Sequence, residues 1–149
     1  MNIREILPED VPYCIIVIQD CLDKSVTYNA EIISFFKKKY DIGYLREKVS
    51  NGTFYVAEDQ GEIIALGGIE EGWIKKMFVS YNSQGRGIGG RLIDRLEEVA
   101  KIEGRSEVHL YSFPNSEMFY ERKGYESVEK VSLKRGNIEI STLHMKKSL

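Results

Sequence analysis

The sequence predicts a mixed α/β fold, a single α+β domain over residues 1–149 with elements in the order βααβββαβαββ. Apolar spacing carries this reading. After a short first strand it is helical up to Asn51-Gly52, alternates from there to Val79, returns to a helical period after a glycine-dense loop, and ends in hairpin-like runs. The chain has no repeat and no Pro- or Ser-rich linker to divide it. Its 42% hydrophobic and 30% charged content is that of a globular protein, and a chain of 149 residues buries roughly 70% of its unfolded surface without a disulfide or metal.

Ile3 to Leu7 reads as the first strand. Pro8-Glu9-Asp10 leads into a helix on which Val11, Cys14, Ile15, Ile18, Cys21 and Leu22 share a face, with Pro12 tolerated in its first turn. A second helix is expected from Asn29 to Tyr40, where Ile32, Ile33, Phe36 and Tyr40 line up, and Tyr44 to Ser50 can add a short one. Thr53 to Glu58 and Glu62 to Ile69 flank Asp59-Gln60-Gly61 as a hairpin, Glu70-Glu71-Gly72 turns the chain again, and Trp73 to Val79 follows as a strand. Ile88, Leu92, Leu96, Val99 and Ala100 mark an amphipathic helix that Gly104 stops. Ser106 to Tyr111 reads as a strand and Asn115 to Lys123 as a short helix closed by Gly124. The last hairpin pairs Tyr125 to Leu133 with Ile138 to Met145 about Arg135-Gly136-Asn137.

Charge and composition exclude several classes of function. Lys and Arg number 21 against 23 Asp and Glu, a net charge of -2, so there is no overall basic field and no nucleic-acid partner is expected. No apolar run approaches the ~20 residues that cross a bilayer, and Met1-Asn2-Ile3-Arg4-Glu5 does not begin a signal peptide, so no membrane partner and a cytoplasmic location are expected. Cys14 and Cys21 both fall on an apolar helix face and read as reduced core thiols. His109 and His144 are isolated and no metal-ligand spacing accompanies them, so no metal is expected.

The stretch Val79-Ser80-Tyr81-Asn82-Ser83-Gln84-Gly85-Arg86-Gly87-Ile88-Gly89-Gly90-Arg91-Leu92 runs from a strand through glycines into a helix. Glycines permit positive φ and bring main-chain amides close to an anion, while a helix N-terminus adds unpaired N–H donors, so the segment suits a pyrophosphate. The nucleotide P-loop is ruled out because Arg91-Leu92, not Lys and Ser or Thr, follows Gly90. Gly85, Gly87 and Gly90 fit the dinucleotide fingerprint, and Glu107 stands near its ribose-binding acid. Yet Ser80 to Gln84 separate strand from glycine, and the 59 residues after Gly90 lack further βαβ units.

The pattern Gln84-Gly85-Arg86-Gly87-Ile88-Gly89 resembles the acetyl-CoA loop of the GNAT N-acetyltransferases. Ile74-Lys75-Lys76-Met77-Phe78-Val79 resembles that family's central strand, and Asn115 through Phe119-Tyr120 to Gly124-Tyr125 its later helix; the element order matches over essentially the whole chain. The resemblance implies a GNAT-like fold and acetyl-CoA as co-substrate. It also implies cofactor contacts from Met77, Phe78, Val79, Gln84, Gly85, Arg86, Gly87, Ile88, Gly89, Gly90, Asn115 and Tyr120. The amides of Met77 and Val79 would meet the pantetheine arm, with Met77 facing the thioester oxygen. Tyr120 would assist the departing thiolate and Asn115 would contact the pantetheine amides. Read as local structure alone, Asn115 is equally a helix N-cap and Tyr120 a packing aromatic. Two departures stand out: Tyr81 where the family often has proline, and Gly90 where a side chain is common.

The expected reaction moves an acetyl group from acetyl-CoA to a primary amine by direct attack in a ternary complex. An alkyl ammonium is deprotonated in only about one molecule in a few thousand at pH 7, so a base is needed. Glu70, and after it Glu71, are the candidates, with His109 as an alternative. The resemblance places Tyr28, Phe35, Phe36 and Lys37-Lys38-Lys39 on the acceptor side, the lysines reading as a solvated helix face, and leaves room for a homodimer. The alternative function is a non-catalytic acyl-CoA-binding regulatory or interaction domain.

Overall fold

Asn29 accepts the Ile32 N–H at 2.9 Å and Asp41 accepts the Tyr44 N–H at 2.8 Å, so two helices are capped within a dozen residues of each other. They are α2 (Ala30–Lys39) and α3 (Ile42–Asn51), which follow β1 (Asn2–Glu5) and α1 (Val11–Asp23). The computed structural model describes residues 1–149 and continues with β2 (Thr53–Asp59), β3 (Glu62–Glu70), β4 (Trp73–Val79), α4 (Ile88–Ile102), β5 (Glu107–Ser112), α5 (Glu117–Arg122), β6 (Glu126–Arg135) and β7 (Ile138–Ser148). The short third helix forms and is a full element, so three helices rather than two precede β2. Helix α5 starts two residues later than expected and leaves Asn115 outside it. No helix is long and apolar enough to cross a membrane.

The seven strands make one mixed sheet in the order β1-β2-β3-β4-β5-β7-β6. Every neighbouring pair is antiparallel except β4 and β5, which are parallel and meet at a single pair, Trp73 with His109. Beyond that pair the two strands separate and leave the far part of β4 with an unpaired edge. Two antiparallel halves are therefore hinged at one point, and the opening between them is set by topology rather than by a loop.

Helices cover both faces. On one side Cys14, Ile18 and Leu45 from α1 and α3 pack with Val56 and Leu66 of the sheet, with Phe78 at the margin. On the other, Ile93, Leu96 and Ala100 of α4 pack with Ile69, Ile74, Val108, Leu110 and Met145. Each of the larger side chains contributes about 1.5–3 kcal/mol by leaving water, so the α4 layer holds the two sheet halves in register. Polar groups inside are satisfied: the Glu97 carboxylate accepts from the Tyr125 hydroxyl at 2.7 Å and from Lys147 at 3.0 Å. Arg4 joins β1 to the start of α1, donating to Asp10 at 2.7 Å and to Glu58 at 2.9 Å. The Arg4 guanidinium in turn holds the Asp10 carboxyl below its ordinary range.

Candidate active site

The chain leaves β4 through Ser80, makes a short 3₁₀ turn at Tyr81–Ser83, and enters the glycine loop. Gly85 and Gly87 adopt φ of 78° and 79°, the left-handed region that a Cβ disfavours, and α4 begins at Ile88 with no side-chain cap. No N–H from Gly85 to Gly90 has a hydrogen-bond partner in the protein; the first amide to find one is Arg91, which donates to Gly87 at 3.2 Å. Ile88 is buried against Ala57, Ile64, Ala65 and Leu92, which fixes the helix start on the sheet. A row of free donors at the positive end of a 15-residue helix is a ready anion seat. A Cβ at Gly85 or Gly87 would meet nothing within 4 Å, so the space over the loop is open. At Gly90 a Cβ would lie 3.8 Å from the Lys123 Nζ, so the glycine gives room to that ammonium, which pairs with Asp94 at 2.6 Å.

Two loop side chains are engaged within the protein. The Gln84 amide donates to the Val79 carbonyl at 3.0 Å and draws the loop back on its own strand, and Arg86 reaches Asp59 at 3.0 Å. The Val79 carbonyl also receives the Cys21 thiol at 3.1 Å. Cys21 is thus half-buried at the strand edge rather than fully in the core like Cys14, and burial pushes its thiol up to about 11. Tyr81, standing where the resembled family often has proline, uses the N–H that proline lacks: it donates to Asp20 at 2.9 Å and ties the loop to α1.

A bulge shapes the edge of β4. Leu66 pairs with Phe78 and Gly68 with Lys75, so Lys76 and Met77 together face Gly67, and Lys76 takes φ of 56°. Lys75 and Lys76 consequently fall on one face, while Ile74, Met77 and Val79 keep the α4 side and Phe78 the α1–α3 side. The Ser80 N–H donates to Ile64 of β3 at 2.8 Å. Alternation then turns the Phe78 N–H toward β3 and that of Val79 toward the unpaired edge, with Met77 next to it at the bulge.

Tyr120 is buried beside Phe119 and Tyr125, and burial pushes its hydroxyl up to about 12. Unlike that of Tyr125, its hydroxyl has no hydrogen-bond partner in the protein. Asn115 is not a helix N-cap: it has φ of 73°, and its amide donates to the Thr27 hydroxyl at 2.6 Å. Glu70 pairs across the turn with Trp73 and is bonded to Lys75 at 2.8 Å, which holds its carboxyl below the usual range. Glu71 is exposed at the turn, with φ of 49°. His109 sits at the closed end of the opening, stacked on Trp73 with ring centroids 4.9 Å apart and 2.9 Å from His144, nitrogen to nitrogen.

The helical side carries an aromatic wall in which Tyr28, Phe36, Tyr40 and Tyr44 follow one another at 5.2–6.1 Å between centroids. The lysine run divides there: Lys37 binds Asp23 at 2.7 Å, while Lys39 lies over the Tyr44 ring at 5.5 Å. Sequence reasoning missed two further lysines over that ring, Lys48 and Lys76, because a lysine on a short helix or inside a strand reads as a solvated position.

A family model of the acetyltransferase (GNAT) domain matches residues 24–149. Among solved structures, a GCN5-related N-acetyltransferase from Rhodopseudomonas palustris superposes with a TM-score of 0.93 at 21% identity, covering 99% of this chain and 95% of the other. The PaiA N-acetyltransferase from Thermoplasma acidophilum, solved in complex with coenzyme A, gives 0.80 at 21% identity, covering 99% and 98%. A ribosomal-protein-alanine N-acetyltransferase from Brucella melitensis gives 0.77 at 18% identity over 100% of both chains. No curated protein sequence matches the chain.

Proposed function

The chain belongs to the GNAT acetyltransferase family, whose chemistry is acyl transfer, and we propose on that premise that it moves an acetyl group from acetyl-CoA to a primary amine by direct attack in a ternary complex. The observation that carries the reading is the row of unpartnered N–H groups from Gly85 to Gly90, set at the end of the open β4 edge. In this reading the amides of Gly85, Arg86, Gly87, Ile88, Gly89 and Gly90 hold the pyrophosphate, and Lys123 adds a positive charge beside them. Gln84 contributes by folding the loop onto Val79 rather than by touching the cofactor. Coenzyme A complexes of fold relatives, such as the Thermoplasma acidophilum protein, are consistent with that ligand.

The thioester already stores the driving force, so the protein's tasks are orientation, charge stabilisation and proton management. The β4 edge at Met77, Phe78 and Val79 receives the pantetheine arm as an added strand, its N–H groups at Met77 and Val79 donating. Met77 donates to the carbonyl oxygen as negative charge grows there. Asn115 exchanges its bond to Thr27 for one to the arm. Tyr120 offers a hydroxyl with no competing partner to the departing sulfur. Burial pushes the Tyr120 hydroxyl up to about 12, which makes it a weaker acid than an alkyl thiol, so complete proton transfer is uphill and Tyr120 acts as a hydrogen-bond donor. Glu70 lies opposite Trp73 and Met77 opposite Gly67, about 10 Å apart along the strand, and the bond to Lys75 weakens Glu70 as a base. Its part is the end of a water relay that takes the ammonium proton.

Incubation with acetyl-CoA and a panel of amines, with free thiol followed over time, tests the reading. Thiol release that depends on an amine supports it. Binding of coenzyme A with no release on any acceptor would replace it by the non-catalytic alternative.

A further inference from the structure

We propose that the amine acceptor carries an anionic group, a carboxylate or a phosphate, and that Lys39, Lys48, Lys76 and Arg135 around the Tyr40–Tyr44 ring pair bind it. This deepens the acetyl-transfer reading and rests on it. Three ammonium groups from three different elements converge on one ring: Lys39 at 5.5 Å, Lys48 at 5.4 Å and Lys76 at 5.4 Å from the centre of Tyr44, with Lys76 also 5.0 Å from Tyr40. None of these lysines makes an ion pair, although nearly every other partly buried cation of the chain has a carboxylate within reach: Arg4 has Asp10, Lys75 has Glu70, and Lys147 has Glu97. Arg135, at the β6–β7 turn, donates to its own backbone neighbour at 2.8 Å and to no acid. Two acids stand near the group and neither pairs with any of the four: Glu47, exposed beside Tyr44, and Glu70, which feels the charge of Lys48 but whose ion pair is with Lys75.

Gathering like charges without a counter-ion costs stability, and a protein with net charge -2 has acids to spare for the purpose. Cation–π attraction offsets the cost only in part, since each such contact contributes about 0.5–2 kcal/mol. The strain is visible in Lys76: burial first, then Lys39, Lys48, Lys75 and Arg135, brings its ammonium down to about 8. Burial and the charges of Arg135 and Lys48 also lower Lys39. The uncompensated charge lies one residue from Met77, because the bulge sends Lys76 to the aromatic side while Met77 keeps the α4 side. An acceptor whose amine approaches the Met77 edge can therefore set an anionic group among these cations. A cationic acceptor such as a polyamine would meet repulsion there.

Calorimetric titration with glutarate, inorganic phosphate and neutral glutaramide, with and without saturating coenzyme A, tests the site independently of turnover. One or both anions bind and glutaramide does not. The tighter anion tells carboxylate from phosphate. Binding at pH 8 takes up protons, because an anion raises Lys76 from half-ionisation. In the Lys48→Gln/Arg135→Gln double variant the affinity falls at least tenfold, and Lys48→Arg retains it. In turnover, an amine bearing the preferred anion has a KM at least tenfold below that of its neutral amide counterpart, and the double variant brings the ratio toward one. Equal binding of glutaramide, no binding of either anion, or an unchanged affinity in the double variant overturns the proposal. Failure of coenzyme A to bind would instead overturn the acetyl-transfer reading and leave the anion site to be judged by the coenzyme-free titration.

Discussion

The Asn115 amide donates to the Thr27 hydroxyl at 2.6 Å, joining the loop after β5 to the loop between α1 and α2 across 88 residues of sequence. The bond links the two sides of the opening between β4 and β5. If Asn115 must release Thr27 to meet the pantetheine arm, the two contacts compete. Thr27→Val then strengthens coenzyme A binding by roughly 2- to 10-fold, the worth of one hydrogen bond of about 0.5–1.5 kcal/mol, while Asn115→Ala weakens it. Calorimetric dissociation constants for the two variants check the pair; equal constants would show that no exchange takes place.

The neighbouring tyrosines separate chemistry from stability. Tyr125→Phe removes a donor from buried Glu97 and is expected to cost about 1–3 kcal/mol in denaturant unfolding, with Lys147 left as the remaining partner. Tyr120→Phe breaks no hydrogen bond, so its stability changes by less than about 0.5 kcal/mol while kcat falls and coenzyme A affinity holds. Unchanged kcat at saturating substrates would remove Tyr120 from the reaction.

Gly87 tests the loop through two substitutions. Its φ of 79° suits Asn far better than a β-branched residue, and a side chain there points into open space. Gly87→Asn and Gly87→Val should both weaken coenzyme A binding by crowding the seat, but only Val should also lower the melting temperature, by strain of about 1–3 kcal/mol. Intact affinity in both would count against the loop as the anion seat.

His144 gives the fold a pH dependence of definite sign. Burial, then the charge of His109, holds its imidazole below the ordinary 6.5. The unfolded chain therefore takes up this proton at higher pH than the folded one. Stability from neutral His144 is complete above about pH 6.5 and is lost as pH falls through the lower folded value. Melting temperatures from pH 7.5 to 5 should decline less steeply in His144→Gln; parallel curves would assign the slope to other groups.

What could be read in advance was local. The helix start at Asn29, the stop at Gly104, the limits of β4 and the glycine loop each depend on a few adjacent residues, and each stands in the structure where spacing placed it. The features that escaped depend on partners distant in sequence. The bulge at Lys76 exists opposite Gly67, the Asn115 amide is occupied by Thr27, and the lysine run is split by Asp23 on one side and Tyr44 on the other. Glu70 looked free because Lys75, five residues on, is brought to it only by the turn between β3 and β4.

The bulge has a consequence for how folding and activity are divided. With Lys76 deleted, strict alternation would run Ile74, Lys75, Met77, Phe78, Val79, and each remaining side chain would point to the layer it occupies today. Nothing in the interior would object to the shortened segment. The shortened strand would instead lack the one ammonium that lies over both the Tyr40 and the Tyr44 ring, leaving the interior layers intact and the aromatic wall poorer by a charge. One surplus amino acid, dispensable to the alternation of the core, is what turns a strand of the sheet into a donor of positive charge to the helical side.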